Sequence, residues 1–140
     1  MTIKSHNQHG FTLIEAMITV VIIGILASIA YPSYTQFVAK GARSDALAAL
    51  MNASNRQEQY YLDHKTYTNN MRRLGLNAPT NNKTHEVENG LYEVKATTAN
   101  SSRFVLVAAA IGVQKTRDDA CKEIQLDSDG VKSPAACWAN

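Results

Sequence analysis

The stretch GFTLIEAMITVVIIGILASIAYP, Gly10 to Pro32, decides the fold. Its apolar run, Phe11 to Ala30, contains a single ionisable side chain, Glu15. About 20 residues at roughly 1.5 Å rise cross a hydrocarbon core of roughly 30 Å, so the run is long enough to span a bilayer. A charge at that depth costs roughly 2.5 to 3.5 kcal/mol on insertion scales, which makes Glu15 a functional residue in need of a partner. Two readings stay open: the carboxylate pairs with a nearby positive charge, or it snorkels to the headgroups.

Upstream, MTIKSHNQHG carries Lys4, His6 and His9 and no apolar stretch of its own. A secretory signal peptide places its apolar core before the cleavage site and loses it on cutting. Here the Gly10-Phe11 junction precedes the apolar run, so a cut there keeps the membrane segment. Lys4 on one side of the run faces Lys40 and Arg43 on the other, which leaves orientation open. Gly24 and Pro32 mark weak points, because glycine inside a helix is about 1 kcal/mol worse than alanine and proline supplies no amide donor. They predict an interruption of the membrane helix, such as a kink at the membrane surface.

Beyond Pro32 the pattern continues with a polar side. Tyr34, Phe37, Val38, Ala42, Ala46, Ala49, Leu50, Ala53, Gln57, Tyr60 and Tyr61 recur at three- and four-residue intervals, with Lys40, Arg43, Asp45, Asn52, Arg56 and Glu58 largely elsewhere, the pattern of an amphipathic helix. From Phe11 to about Leu62 this predicts one helix of roughly 80 Å. Tyr60, Tyr61 and Tyr67 read as core packing at its end.

Thr68 to Asn89 is rich in Asn, Thr, Gly and Pro, with Ala78-Pro79-Thr80-Asn81-Asn82 as its strongest turn signal, and reads as a surface loop. Arg72, Arg73 and Lys83 give it a basic side, and His64 and His85 lack metal-ligand spacing. Tyr92, Val94 and Ala96 alternate with Glu93, Lys95 and Thr97 as in a half-buried strand. Phe104 to Ile111 is too continuously apolar for an edge and belongs at the centre of an antiparallel sheet. A third strand runs near Lys122 to Leu126. Asp127-Ser128-Asp129-Gly130 lacks the remaining EF-hand ligands and reads as a β-turn.

The 140 residues carry a net charge of +2, too little to draw nucleic acid or anionic lipid by net charge alone. Neither Cys121 nor Cys137 sits in a CxxC or Cys/His array, so no metal site is expected; in a domain outside the cytoplasm, such a pair reads as a disulfide. No GxSxG, HExxH, P-loop or supported Cys/His pair is present, and Asp118-Asp119 and Asp127/Asp129 are placed in turns, so no enzyme and no cofactor are expected.

Gly10-Phe11-Thr12-Leu13-Ile14-Glu15, set against a membrane-length segment, resembles the class III signal of type IV pilins. The resemblance extends to type IVa pilins in the cysteines and Cys137-Trp138, and Gln57-Glu58-Gln59-Tyr60-Tyr61 with Thr66-Tyr67-Thr68 looks most like the PilE-type minor pilins. It implies an α+β pilin fold, a long N-terminal helix packed on a four-stranded antiparallel sheet. Residues 1–10 would be a leader, 11–31 the transmembrane and filament-core helix, and 32–140 the periplasmic and later extracellular domain. It further implies cleavage between Gly10 and Phe11 by a prepilin peptidase, N-methylation of Phe11, and assembly roles for Glu15 and Thr12, with Glu15 neutralising a neighbour's amine. Gly24 and Pro32 would bound a segment that melts in the filament, the Thr68–Asn89 loop would be the variable αβ-loop, and Cys121 and Cys137 would pair around a C-terminal region.

The expected role is thus a minor pilin, held singly across the inner membrane and then assembled into an extracellular filament for twitching motility, adhesion or DNA uptake. Its partners would be other pilin subunits, the peptidase and the inner-membrane assembly machinery, with nucleic acid not indicated. The alternatives are a major pilin, a DNA or surface-receptor pilin, and a type II secretion pseudopilin, the last disfavoured by the cysteine pair.

Overall fold

The structure, a computed structural model, describes residues 10–139; Lys4, His6 and His9, with all of the expected leader except Gly10, lie outside the described residues. Helix α1 spans Leu13–His64, 52 residues. Its first part belongs to one compact unit ending at Tyr34, and the rest to a second unit from Thr35 onward.

In the first unit the helix starts from Thr12, whose carbonyl accepts from the Ala16 amide at 3.2 Å and whose hydroxyl accepts from the Glu15 amide at 3.3 Å. Thr12 is therefore the residue capping the free amides of the first turn. Thr19 and Ser28 donate their hydroxyls to the carbonyls of Ala16 and Ile25, at 2.8 and 2.7 Å, so both satisfy themselves within an apolar segment. α1 continues unbroken through Gly24 and Pro32. Proline deletes its own amide from the ladder and leaves the neighbouring hydrogen bonds to carry the helix past these two weak points.

In the second unit α1 buries Ala39, Ala42, Ala46, Leu50, Ala53 and Gln57, a face repeating every three or four residues. Four of the six are alanines, so the helix backbone lies close to the layer beneath. Tyr34 and Phe37, expected on this face, are 68% and 76% exposed. At about 100° per residue Phe37 falls on the opposite side from Ala39 and Ala42, and aromatic character alone hid that offset.

The layer beneath is a five-stranded antiparallel sheet in the order β1-β2-β3-β4-β5, with strands Thr84–Glu86, Tyr92–Ala99, Phe104–Ala110, Glu123–Asp127 and Lys132–Ser133. Three coincide with the alternating or apolar runs, and β3 is central as expected. The count is five where four were expected. β1 and β5 contain no apolar residue, so only their pairing with β2 and β4 reveals them as strands. Short helices α2, Gln114–Arg117, and α3, Ala135–Trp138, flank β4 and β5, with a 3₁₀ turn at Asp119–Cys121.

The segment read as a surface loop is also revised. Met71, Leu74, Leu76, Ala78 and Val87 are buried in the core beside Tyr92, Val94, Phe104, Leu106 and Ile124. From Leu74 to Ala78 burial alternates with exposure. This stretch packs like a strand without joining the sheet, and its Asn, Gly and Pro neighbours mask the alternation.

Candidate functional site

Two regions carry the expected functional residues. In the first unit, Gly10 and Phe11 precede the helix, and Phe11 is 83% exposed. Glu15 lies in the first turn of α1, and its carboxylate makes no hydrogen bond or ion pair among the described residues. A carboxylate near a helix N-terminus is favoured by the unpaired amides there, but the adjoining surface is apolar: Leu13, Ile14, Met17, Ile18, Val21 and Ile22 are all exposed. The helix contains an 18-residue window of mean hydropathy 2.5, none of it buried within the chain. A surface of this kind needs lipid or other protein around it. Gly24 has nothing within 4 Å of where a Cβ would stand, so its neighbours in the chain do not demand a glycine.

The second region is the C-terminal part of the second unit, which the structure ties to α1 in a way the sequence did not announce. Asp118 is 5% exposed. Its carboxylate accepts a two-pronged hydrogen bond from the Arg43 guanidinium, with Arg43 Nε at 2.8 Å from Oδ2 and Nη2 on Oδ1. The Tyr92 hydroxyl lies 3.1 Å from Asp118 Oδ2 and 3.1 Å from the Cys121 carbonyl. The hydrogen bond to Asp118 raises the Arg43 pKa against the opposing effect of burial. Burial, reinforced by the charge of Asp118, raises that of Tyr92. Neighbouring Gln114, fully buried, donates to the Ala39 carbonyl at 3.0 Å. Asp118 is therefore not a solvated turn residue. Arg43 lies at the edge of the buried helix face, close enough to reach inward while its spacing still reads as polar. Asp119, in contrast, pairs at the surface with Lys122.

Immediately after this junction, Cys121 and Cys137 form a disulfide with a Cα separation of 5.7 Å. Both are buried. Trp138 packs partly buried against the core, with Lys132 Nζ 5.0 Å from its ring centre. Asp127 Oδ1 accepts from the Asp129 and Val131 amides at 3.0 and 2.8 Å, so the Asp127–Gly130 turn is held by its own carboxylate. Among the described residues no group of three or more His, Cys, Asp or Glu is placed to hold a metal.

At the far end of α1 a second junction appears. Gln57, fully buried, accepts from the Thr68 amide at 3.0 Å and donates to the Thr68 carbonyl, so one amide side chain satisfies both backbone groups of the returning chain. Tyr67 stacks on Tyr61, centroids 4.7 Å apart, and meets Phe104 edge-on at 4.8 Å. Tyr60 stacks on His64 at 3.9 Å. The tyrosines mainly pack, as expected. His85 Nδ1 lies 2.7 Å from the Asn77 carbonyl, while Arg72, Arg73 and Lys83 are exposed.

Comparison with known proteins joins these two regions. A family described as "Type IV minor pilin ComP, DNA uptake sequence receptor" matches residues 32–125, and one described as "Prokaryotic N-terminal methylation motif" matches residues 5–31. The chain is 37% identical over 100 residues to a fimbrial protein of Neisseria meningitidis serogroup A, covering 68% of this chain and 58% of that protein. It is 37% identical over 101 residues to the type IV major pilin protein PilE1 of Neisseria gonorrhoeae, covering 68% and 54%. Over 70 residues it is 37% identical to the type IV major pilin protein PilA of Myxococcus xanthus, covering 50% and 32%. The chain thus spans a little over half the length of these two Neisseria relatives. With the apolar stretch matched by the methylation motif and residues 32–125 by a pilin family, the chain belongs to the type IV pilin family.

Proposed function

We propose that the chain is a structural subunit of a type IV pilus, in the minor class, supporting twitching motility, adhesion or DNA uptake. The observation that carries this reading is the exposed apolar helix with one carboxylate, Glu15, unpaired among the described residues. Such a helix suits lipid before assembly and the interior of a filament afterwards. The protein is anchored in the inner membrane and becomes extracellular with the pilus. Prepilin peptidase cuts between Gly10 and Phe11, Phe11 is N-methylated, residues 11–31 form the membrane and filament-core segment, and residues 32–140 form the exported domain. Its partners are other pilin subunits, the peptidase and the inner-membrane assembly machinery.

Glu15 neutralises the new amine at Phe11 of a neighbouring subunit. Two opposite charges together in a low dielectric attract far more than in water, whereas each alone pays desolvation without return. Thr12 supports this by starting the helix that presents the carboxylate, and Gly24 and Pro32 bound the segment that loses helicity on assembly. The test is Glu15→Leu. Cleavage and membrane insertion stay intact and the amount in sheared filaments falls about tenfold or more; normal incorporation overturns the proposal. The minor assignment draws on the matched family's description, although the relatives named above include major pilins. Quantitative proteomics of purified filaments separates the two, a few copies per fibre against thousands.

A second reading, DNA reception, is favoured by the description of the matched family. Arg72, Arg73 and Lys83 would contact phosphates, and affinity for duplex DNA would then fall steeply with salt. A salt-independent or absent interaction removes this reading.

A further inference from the structure

A groove of about 620 Å³ opens between the end of α1 and the turn at residues 73–74, within the size range of about 300–1,000 Å³ common to small-ligand sites. Its floor is built by helical spacing. Arg56, Tyr60 and His64 follow one another at four-residue steps along one ridge, and Gln59 and Asp63 do the same along the next. Arg73 closes the opposite wall.

Three features mark the groove as a recognition site. First, the Arg56 guanidinium is held in place: Nε donates to Asn52 Oδ1 at 3.0 Å and Nη1 to the Leu74 carbonyl at 2.9 Å. Gly75 makes room for it, since a Cβ there would stand 2.8 Å from Nη1. Nη2 keeps both of its donors unused among the described residues. Second, the Tyr60 and His64 rings are parallel within 3°, and His64 Nδ1 lies 3.1 Å from the Tyr60 carbonyl. The imidazole is thereby fixed as a flat plate with Nε2 unbonded among the described residues. Third, the polar side chains of Gln59, Asp63 and Arg73 make no hydrogen bond or ion pair among the described residues, so Arg56 and Arg73 have no carboxylate partner there.

We propose that this groove binds an acidic saccharide, a sugar ring carrying a carboxylate. The two arginines supply the positive charge and the forked donors that suit a carboxylate. The ring plate suits the C–H face of a sugar. Asp63 and Gln59 accept hydrogen bonds from sugar hydroxyls, and the Asp63 carboxylate disfavours a run of phosphates more than a single carboxylate seated on the arginines.

The experiment uses the full chain in phosphatidylcholine nanodiscs, with ligand-observed NMR titrations of sialyllactose and of a hyaluronan tetrasaccharide. Lactose is the neutral control, and a short DNA duplex represents the other anionic class. The two acidic saccharides are expected to bind and lactose to bind about tenfold more weakly or not at all. Arg73→Gln is expected to weaken the acidic saccharides about tenfold with the unfolding temperature unchanged, since that side chain holds nothing in the fold, and His64→Ala to weaken them severalfold. Lactose binding as tightly as the acidic saccharides, an Arg73→Gln variant that binds them normally, or no acidic saccharide binding at all overturns the proposal. Duplex DNA binding through Arg73 while the saccharides do not also overturns it, in favour of a nucleic-acid site.

Discussion

Replacing Asp118 by alanine tests how the C-terminal region is fastened to α1. The substitution removes the acceptor of both Arg43 hydrogen bonds and of a Tyr92 hydroxyl contact. Breaking one partner of a buried ion pair costs about 3–5 kcal/mol because the other charge is left stranded. The Asp118 side chain is 5% exposed and that of Arg43 18%, so the arginine regains some water and the low end, about 3 kcal/mol, is expected. For a domain of roughly 100 residues, each kcal/mol lowers Tm by about 4–8 °C, so a drop of about 12–24 °C follows. The assay is thermal unfolding of the full chain followed by near-ultraviolet circular dichroism, which reports the packed tyrosines. Arg43→Met with Asp118→Leu removes both charges and should cost less than the two single changes together, because neither variant group leaves an uncompensated partner. A loss under about 0.5 kcal/mol for Asp118→Ala, or strict additivity of the pair, refutes the claim that this junction is a coupled anchor.

Two further expectations concern the same region. The Tyr92 pKa is raised in the fold, chiefly by burial, so the neutral hydroxyl is favoured by folding. That stabilisation is complete below the ordinary tyrosine value near 10 and is lost as pH rises through the higher folded value. Tyr92→Phe should therefore be less stable than the parent at neutral pH and flatten its loss of stability in alkali, read by unfolding at stepped pH; an unchanged alkaline slope contradicts it. Replacing Cys121 and Cys137 together by serine opens a loop of about 15 residues and should cost about 3 kcal/mol, measured by denaturant midpoint. A shift too small to detect would mean that the Arg43–Asp118 junction and the β4–β5 pairing hold the segment unaided.

The membrane-length helix, its amphipathic continuation and strands β2 to β4 were legible because each rests on a periodicity that composition expresses directly. Helix and strand repeats record which face meets the core, and Ala46, Leu50, Val94 and Leu106 are all fully buried. The leader motif was equally legible, since Gly10 to Glu15 is a local pattern that needs no fold to recognise it. Elements defined by their partners were not. β1 and β5 are polar and exist through ladder bonds to longer strands, and the buried residues from Met71 to Ala78 lie in a segment with no uniform repeat.

What the sequence determined by itself was the division between an apolar stretch with one acid and a domain of alternating strands, because hydropathy acts locally and leaves its period in the chain. Only the tertiary structure decided that Arg43 and Asp118, 75 residues apart, meet beneath Tyr92, that Gln57 clasps Thr68, and that Arg56 and Arg73 face one groove. A charged side chain reads as solvent-facing until the fold supplies the opposite charge. The cost of burying it is then offset by a partner that no local pattern can name.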